Sequence, residues 1–447
     1  MSSQPVILLE FNELCPSLLD RWIDSGELPN FNRLRNKSTI CVTETDELTE
    51  PNLEPWIQWV SVHTGKTFEE HKVFRLGDIA DRDDLDQIWE VLERRGYKVA
   101  AISPFNAKNN LKKAPFFVPD PWTITKVSGE ARLEKFYKAI SKIVNTHSNG
   151  EMSGSAPIDL FKGFLSFIPF RSYTKYFKLA TRIRRKSTKV TILDELLSDI
   201  FFHFYKKEKP DFSSLFLNGA AHIQHHYMFN SKAYSGDQSN PEWYCPKQED
   251  PVLDILNSYD LIIKKLLSLD ARVIFATGLH QKPHKSKTYY WRLKDHESFL
   301  KLIGINNHKS VLPRMSRDWL IEFNDFDEAR EAEYLLNNLF SEKDNLPLFS
   351  VDNRGESLFV ELVYPQNITK NFSIISKSGK LPFDFFEFVS FLAIKNGEHD
   401  GVGYMVDTDK NYHVDNQDYQ PVTNLFERML SHFGIPVSVN KGKHSVI

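Results

Sequence analysis

Val6-Ile7-Leu8-Leu9-Glu10-Phe11 is the segment from which the fold of this chain is best inferred. All of its side chains except Glu10 are apolar, which is typical of a strand that is buried on both faces of a sheet. The next segment, residues 15–35, carries apolar residues at helical spacing, so a turn and a helix should follow the strand. A buried strand that leads into a helix is the repeating unit of parallel α/β sheets.

The same alternation of apolar strands and helices recurs along the chain. Strands are predicted at residues 98–103, 212–217 and 271–276, and helices at residues 86–95, 192–207 and 252–269. The pattern predicts an α/β fold with a mostly parallel central sheet and helices on both faces.

Two segments interrupt this alternation. Residues 143–190 begin with a Ser- and Gly-containing linker and continue into Phe-rich and basic stretches, which predicts an inserted cap or lid. Residues 315–365 contain predicted strands at 319–323, 348–351 and 357–362 and a helix at 327–340, which indicates a small βαββ insert. The α/β core is then expected to comprise residues 1–142, 191–314 and 366–447.

Length, charge and cysteine content restrict the class of protein. The chain has 447 residues, is 41% hydrophobic and carries a net charge of −3, so it can bury a large core and has no overall positive charge to attract nucleic acid. Cys15, Cys41 and Cys245 fit neither a disulfide framework nor a zinc site, which favours reduced thiols. The N-terminus lacks the features of a secretory signal, and no apolar run is long enough to span a bilayer, so we predict a cytoplasmic protein without a transmembrane segment.

Three histidine-containing segments stand where strands should lead into loops. They are residues 220–226, 277–280 and 397–401, and they contain His225, His280 and His399. Histidines delivered from the ends of distant strands can converge on one bound metal ion. The alternative is that they are ordinary loop histidines in a chain that contains fifteen.

The order of these segments resembles the alkaline phosphatase superfamily, in particular its phosphodiesterase and nucleotide pyrophosphatase-like branch. Residues 9–12 and the segment 18–31, with its Leu28-Pro29-Asn30, are similar to the opening strand, metal-binding acid and helix of that branch. Residues 50–65, which end in Ser-x-x-Thr-Gly, resemble its nucleophile loop, and the three histidine segments resemble its later metal segments in family order.

This resemblance implies an alkaline-phosphatase-like fold with a metal site that is reduced relative to the family. The family holds two divalent ions through paired Asp and His residues, whereas this chain has Ala221 and Leu279 where two of the Asp residues are expected. Losing two anionic ligands favours one ion over two. We predict a single divalent metal ion, zinc by its ligand types, held by Glu10, His225, His280 and His399. The alternative is a vestigial cavity filled by hydrogen-bonded neutral histidines.

The hydroxyl nucleophile of the family is also missing. Between Pro51 and Ile57 there is no Ser, Thr or Cys, so Glu54 is the only potential nucleophile in that loop. Its carboxylate could attack phosphorus, act as base for a water or bind metal. We predict Glu54 and Asn52 as catalytic residues, and the following as substrate-binding residues: Asn12, His222, Gln281 and His284.

Two functions remain open from the sequence. The first is a metal-assisted hydrolase or transferase that acts on a small anionic phosphate or sulfate ester or a phosphodiester. The second is a non-catalytic ligand-binding or regulatory protein on the same degenerate fold. No nucleic-acid partner is predicted. Residues 161–189, Phe-rich and basic, could contact an anionic membrane surface, although a solvated cap helix is the common alternative.

Overall fold

The computed structural model describes residues 4–49, 52–145, 156–314, 317–409 and 419–436. The strands, in chain order, are β1 (Val6–Phe11), β2 (Thr39–Glu44), β3 (Val99–Ile102), β4 (Phe117–Val118), β5 (Phe212–Leu217), β6 (Arg272–Ala276), β7 (His280–Leu293), β8 (Ser310–Pro313), β9 (Asp318–Glu322), β10 (Phe340–Ser341), β11 (Phe349–Asn353), β12 (Ser357–Leu362), β13 (Ile374–Ser376), β14 (Gly379–Lys380), β15 (Val389–Asp400), β16 (Val402–Asp407) and β17 (Gln420–Pro421). The helices are α1 (Pro16–Asp24), α2 (Pro29–Lys37), α3 (Pro55–Thr64), α4 (Phe68–His71), α5 (Ile88–Arg94), α6 (Ala131–Asn145), α7 (Ala156–Phe167), α8 (Tyr173–Thr181), α9 (Thr188–Glu208), α10 (Gly219–Tyr227), α11 (Pro251–Leu266), α12 (His296–Leu302), α13 (Phe326–Asn337) and α14 (Asn424–His432).

By packing, the chain divides into two compact units. The first comprises Met1–Ser235, Pro241–Lys282 and Gly397–Ile447, and the second comprises Gly236–Asn240 and Pro283–Asn396. The domain boundaries inferred from the sequence stay a prediction, and residues 146–155 of the predicted cap lie outside the described residues. Among the helices that the structure describes, none has the length and apolar character needed to cross a bilayer.

The first unit contains an eight-stranded sheet with the order β17-β2-β16-β6-β1-β5-β3-β4. The five strands from β6 to β4 pair in parallel, and β16 is antiparallel to both of its neighbours. Because β1 lies between β5 and β6, its carboxyl end opens onto the edge where the loops after these three strands meet.

Both faces of β1 are covered. Ile7, Leu9 and Phe11 belong to one buried cluster, and Val6 and Leu8 belong to a second cluster on the opposite face. Alternate residues of a strand point to opposite faces, so the sheet carries packed side chains on both sides. The predicted fold class, α/β with a mostly parallel sheet covered by helices on both faces, is confirmed.

One predicted helix is two helices in the structure. Residues 15–35 form α1 and most of α2. Between them Gly26 adopts φ of 84°, a left-handed conformation that ends a helix, and Pro29 occupies the first turn of α2. The apolar spacing continues across this break, which is why the pattern alone suggests one helix.

A buried ionic network ties the sheet to the C-terminal helix of the first unit. Asp407, at the end of β16, accepts hydrogen bonds from Arg272 of β6 and from Arg428 of α14, with Nη2–Oδ2 and Nε–Oδ2 distances of 2.6 Å. Burial raises the pKa of Asp407, but the two guanidinium groups outweigh this effect and hold the pKa below its usual value.

The second unit has its own hydrophobic core and contains two small antiparallel sheets, and β7 and β15 pair in a further two-stranded sheet. A four-stranded sheet has the order β11-β12-β9-β8, and a three-stranded sheet has the order β10-β13-β14. The predicted βαββ elements are present as β9, α13, β11 and β12.

Candidate metal centre

Glu13 lies two residues beyond the end of β1, and its backbone is fixed in a conformation that is unusual for a residue other than glycine. Its φ is 56°, in the left-handed region. Its N–H donates to the carbonyl of Thr277 (3.1 Å), and its carbonyl accepts from the N–H of Gln281 (3.1 Å) and from Nε2 of Gln224 (2.8 Å). Such backbone conformations persist only where the surroundings hold them, and they cluster at functional sites.

The Glu13 carboxylate meets two histidines from distant parts of the chain. Its Oε2 lies 2.9 Å from Nε2 of His225, on α10, and 3.1 Å from Nε2 of His399, near the end of β15. One potential ligand atom from each of the three residues lies within 4.8 Å of the others, and no other group of this kind occurs among the described residues. The Glu13 side chain is buried, whereas those of His225 and His399 are partly exposed.

Two buried amides fix the orientation of the Glu13 carboxylate. Nδ2 of Asn12 donates to Oε1 (2.8 Å), and Nε2 of Gln281 donates to Oε2 (2.5 Å). Asn12 is itself oriented by Trp59, whose Nε1 donates to the amide oxygen (2.8 Å), and by Asn218, whose Oδ1 accepts from Asn12 Nδ2 (2.8 Å). Asn12 and Gln281, two predicted substrate-binding residues, therefore have their amide groups engaged in positioning the cluster carboxylate.

The electrostatics favour the ionised form of Glu13. Burial raises the pKa of its carboxyl, but the charges and hydrogen bonds of His399 and His225 outweigh burial and hold the pKa well below its usual range. A carboxylate oxygen that faces two imidazole nitrogens needs either an N–H on each of those nitrogens or a cation between them.

The donor set and its orientation fit a divalent metal ion. Nδ1 of His399 lies 3.0 Å from the carbonyl of Leu53, and a donated Nδ1–H at this contact leaves the Nε2 lone pair directed at Glu13. Ligand atoms on a tetrahedral zinc ion lie about 3.3 Å apart. The separations of 2.9 and 3.1 Å in the cluster are therefore within a few tenths of an ångström of those that zinc requires.

Glu54 stands beside this cluster at the start of a helix. It is the N-cap residue of α3, and its Oε2 lies 3.5 Å from Nδ1 of His399. The N-terminus of a helix favours an ionised carboxylate. Glu54, which the sequence predicts as a nucleophile or base, therefore lies next to His399 of the cluster.

Glu10 and His280, the other two predicted metal ligands, are not members of the cluster. Glu10, the next-to-last residue of β1, points to the face covered by α3, where its Oε2 lies 3.3 Å from Nε2 of the equally buried His63. His280 directs Nδ1 to the carbonyl of Val402, at 2.5 Å. Because Gln281 reaches Glu13 from the next position of β7, period-two alternation turns His280 away from the cluster.

The remaining predicted residues lie as follows. Asn52 donates from Nδ2 to Oε2 of Glu47 (3.0 Å). The exposed His222 packs against His226, with ring centroids 4.9 Å apart. His284 belongs to the second compact unit, where its Nδ1 lies 2.6 Å from the carbonyl of Ser286.

Glu13 is the residue that the sequence analysis did not select. Glu10 was favoured because it lies in the segment that resembles the family's opening strand, and period-two alternation then pairs it with Asn12. Glu13 lies beyond the strand, where that alternation no longer applies. Its signal in the sequence is its place immediately after a buried strand, since ligands bind at the carboxyl ends of parallel strands.

A serine, a histidine and an aspartate also meet in the first unit, but the histidine nitrogen that faces the serine carries a proton and cannot act as its base. Ser61 Oγ lies 3.2 Å from Nε2 of His71 and 3.4 Å from Oδ1 of Asp46. Nδ1 of His71 accepts the N–H of Val73, so the proton of the neutral ring is on Nε2 and faces the serine. Burial lowers the pKa of His71 to about 4, which keeps the ring neutral. The arrangement satisfies buried polar groups and does not activate Ser61.

Comparison with known proteins gives structural neighbours only. No family model and no curated protein matches the chain. Among solved structures, phosphonoacetate hydrolase from Sinorhizobium meliloti, in complex with phosphonoacetate, is similar with a TM-score of 0.48 and 12% identity over 96% of both chains. Ectonucleotide pyrophosphatase/phosphodiesterase 5 is similar in its murine form, with a TM-score of 0.45 and 11% identity over 98% of both chains. Its human form gives a TM-score of 0.46 and 12% identity over 98% of this chain and 97% of the other.

Two of these three structures carry the name of the branch that the sequence resembles. At these identities and TM-scores the likeness assigns neither an activity nor a residue role to this chain.

Proposed function

We propose that this protein is a metal-assisted hydrolase or transferase that acts on a small anionic phosphate or sulfate ester or a phosphodiester. The observation that supports the proposal is the convergence of Glu13, His225 and His399, with Glu54 beside them at the start of α3. These groups come from four separate segments and meet at the carboxyl end of β1, where α/β sheets bind their ligands.

In this proposal, the cluster holds one ion, and two nitrogens with one carboxylate suit zinc. When bound, the ion would polarise an ester oxygen or lower the pKa of a bound water. Because Glu13 supplies a single negative charge, the occupied site keeps a positive charge that attracts an anionic ester. Asn12 and Gln281 hold the carboxylate in place from behind.

Glu54 is proposed to act on the substrate as nucleophile or as base. As nucleophile, its carboxylate oxygen bonds to phosphorus, the alcohol leaves, and water then hydrolyses the resulting acyl phosphate. As base, it takes a proton from the attacking water and no bond to the enzyme forms. Nδ1 of His399 lies 3.5 Å from Glu54 Oε2, so in either case the carboxylate acts beside the cluster.

The second candidate is a binding protein that retains the site without turnover. Ala221 and Leu279 favour it, since both are buried apolar residues at positions where the resemblance implies acidic metal ligands. Such a protein needs the anionic-ligand pocket but no activated nucleophile. The proposed cytoplasmic location is independent of this choice.

Activity assays with defined metals test the proposal. The purified protein is stripped with chelator, reloaded separately with zinc, manganese or magnesium, and assayed with aryl phosphate, bis-aryl phosphate and aryl sulfate esters. We expect metal-dependent hydrolysis in the wild type and in His203→Ala, a control at a half-buried histidine of α9 outside the cluster, and a loss of at least about 100-fold in His399→Ala and Glu54→Gln. A metal-loaded wild type that binds an anionic ester but never turns it over would support the binding protein instead.

Mass spectrometry of acid-quenched protein separates the two roles of Glu54. An acyl phosphate adds one phosphoryl group to the peptide that contains Glu54 during turnover. A base leaves that peptide unmodified while hydrolysis proceeds.

A further inference from the structure

Helix α7 carries large apolar side chains on two sides, although only one of these sides packs against the described chain. The side toward the core carries Leu160, Phe164 and Phe167. Gly163 brings this side so close to α6 that a Cβ at that position would lie 2.2 Å from the Phe136 ring. The opposite side, at i, i+3 and i+7, exposes Ile158, Phe161 and Leu165. A contiguous exposed surface of large apolar side chains normally marks a site of contact with another protein or a membrane.

The exposed apolar surface continues beyond α7. Phe170 is 84% exposed, Phe177 on α8 is 72% exposed, and Ile183 is also exposed. The ring of Phe164 contacts both Tyr173 and Tyr176, so α7 and α8 pack side by side. Six of the exposed large hydrophobic residues of the described chain therefore fall within residues 158–183, which we call the apolar patch.

Positive charge surrounds this patch. Residues 157–190 contain nine Lys and Arg residues and a single acidic residue, in a chain whose net charge is −3. Those that are exposed to solvent are Lys162, Arg171, Lys178, Arg182, Arg184, Arg185 and Lys189. Large apolar side chains mixed with cations are the composition of a surface that lies at the interface of an anionic bilayer.

The positive charge around the apolar patch also indicates which kind of partner covers it. A second copy of the chain would place an equal positive charge against the patch, which is unfavourable. Nucleic acid would satisfy the cations, but it offers no apolar phase for the aliphatic side chains of Ile158, Leu165 and Ile183. A bilayer with anionic headgroups satisfies both.

We propose that the apolar patch and its surrounding basic residues dock this protein on the surface of an anionic lipid bilayer. The aromatic and aliphatic side chains enter the boundary between headgroups and acyl chains, and the Lys and Arg side chains lie among the headgroups. This docking does not depend on whether the metal cluster is catalytic.

Vesicle cosedimentation tests the proposal with the full chain. We expect the wild type to sediment with vesicles of phosphatidylcholine and phosphatidylserine, to bind pure phosphatidylcholine much less, and to lose binding as salt rises. Replacing Phe161, Phe170 and Phe177 together by Ser should weaken binding by about tenfold for each ring that is lost. The matched control is Phe326→Ser, an exposed phenylalanine of the second unit.

A charge-reversal pair tests the electrostatic half separately and does not depend on the folding of the triple variant. Lys178→Glu with Arg184→Glu should abolish the preference for phosphatidylserine, whereas Lys112→Glu with Lys113→Glu, on exposed residues elsewhere, should keep it. Equal binding of wild type and both charge pairs would overturn the proposal. It would also be overturned by a wild type that ignores vesicles but binds duplex nucleic acid, or that forms a dimer in solution which the triple serine variant dissociates.

Discussion

Replacing Glu13 by Gln should remove most of the metal affinity of the cluster while changing its volume very little. Both carboxylate oxygens of Glu13 accept hydrogen bonds from amide donors, Oε1 from Asn12 and Oε2 from Gln281. A glutamine amide at this position must turn its own NH2 group toward one of these donors in either orientation. The substitution therefore removes a negative charge and leaves two donors facing each other in a buried place.

The size of the effect can be estimated from linkage. Mutation of residues that hydrogen-bond to metal ligands weakens metal binding by about 10–100-fold. Loss of an anionic ligand itself should therefore lower the metal affinity by at least about 100-fold. With zinc at about 100 times the wild-type dissociation constant, binding stabilises the folded wild type by about 2.7 kcal/mol and the variant by about 0.4 kcal/mol. At roughly 2 °C per kcal/mol, zinc should raise the midpoint of thermal unfolding by about 5 °C in the wild type and about 1 °C in the variant.

Thermal unfolding with zinc and with chelator measures this difference, and calorimetry or metal analysis gives the affinity directly. Glu10→Gln is the matched control, because Glu10 is a similarly buried acid three residues earlier in the chain that lies against His63, outside the cluster. It should lower stability but keep the zinc-dependent shift. A shift that disappears in Glu10→Gln and survives in Glu13→Gln would refute the assignment of the centre to Glu13.

Three further changes test the framework around the site. Gly397→Ala should weaken zinc binding by about tenfold. A Cβ at this position would lie 2.1 Å from Oε1 of Gln281 and would displace the amide that holds the Glu13 carboxylate. Metal titration measures the change in affinity. Burial raises the pKa of Asp194 to about 7. Between about pH 4 and 7 the folded state therefore keeps a proton that the unfolded state has lost, and the free energy of unfolding falls as the pH rises through this range. In Asp194→Asn, urea unfolding at pH 5 and pH 7 should show a smaller fall than in the wild type. Asp407→Asn should lower the free energy of unfolding by about 3–5 kcal/mol, because it leaves two buried guanidinium groups without their carboxylate; denaturant titration at pH 7 measures it.

The central strands could be predicted because burial on both faces leaves a strong signal. Residues 212–217 were predicted as a strand and are β5, residue for residue, and the predicted strand at 271–276 differs from β6 by one residue. The break between α1 and α2 was missed, since the apolar spacing does not register the left-handed backbone of Gly26. Local backbone conformation is the part of the fold that hydrophobic periodicity does not report.

Two of the four predicted metal ligands, His225 and His399, lie in the cluster, and their sequence positions explain why they were accessible to prediction. Each lies in a segment that resembles a family motif, and each lies near the end of an element, His225 in α10 and His399 in β15. Glu13 and Gln281 required knowledge of where β1 ends and where β7 begins. Sequence pattern places an element within a few residues, whereas the direction of a side chain changes at every residue.

A shift of one residue in strand register reverses a side chain, and this sensitivity decides the composition of the centre. In β7, Gln281 points to Glu13 and its neighbour His280 points to the carbonyl of Val402. In β1, Glu10 belongs to the face that packs against α3, and only beyond the strand does the left-handed turn at Glu13 return a carboxylate to the open edge. The cluster therefore combines Glu13, just beyond β1, with His225 on α10 and His399 near the end of β15. The amides of Asn12 and Gln281 hold its carboxylate in place. The cluster thus has one carboxylate and two imidazoles in place of the acid-rich pair of sites that the resemblance implies. Under the proposed function, such a set suits one divalent ion better than two.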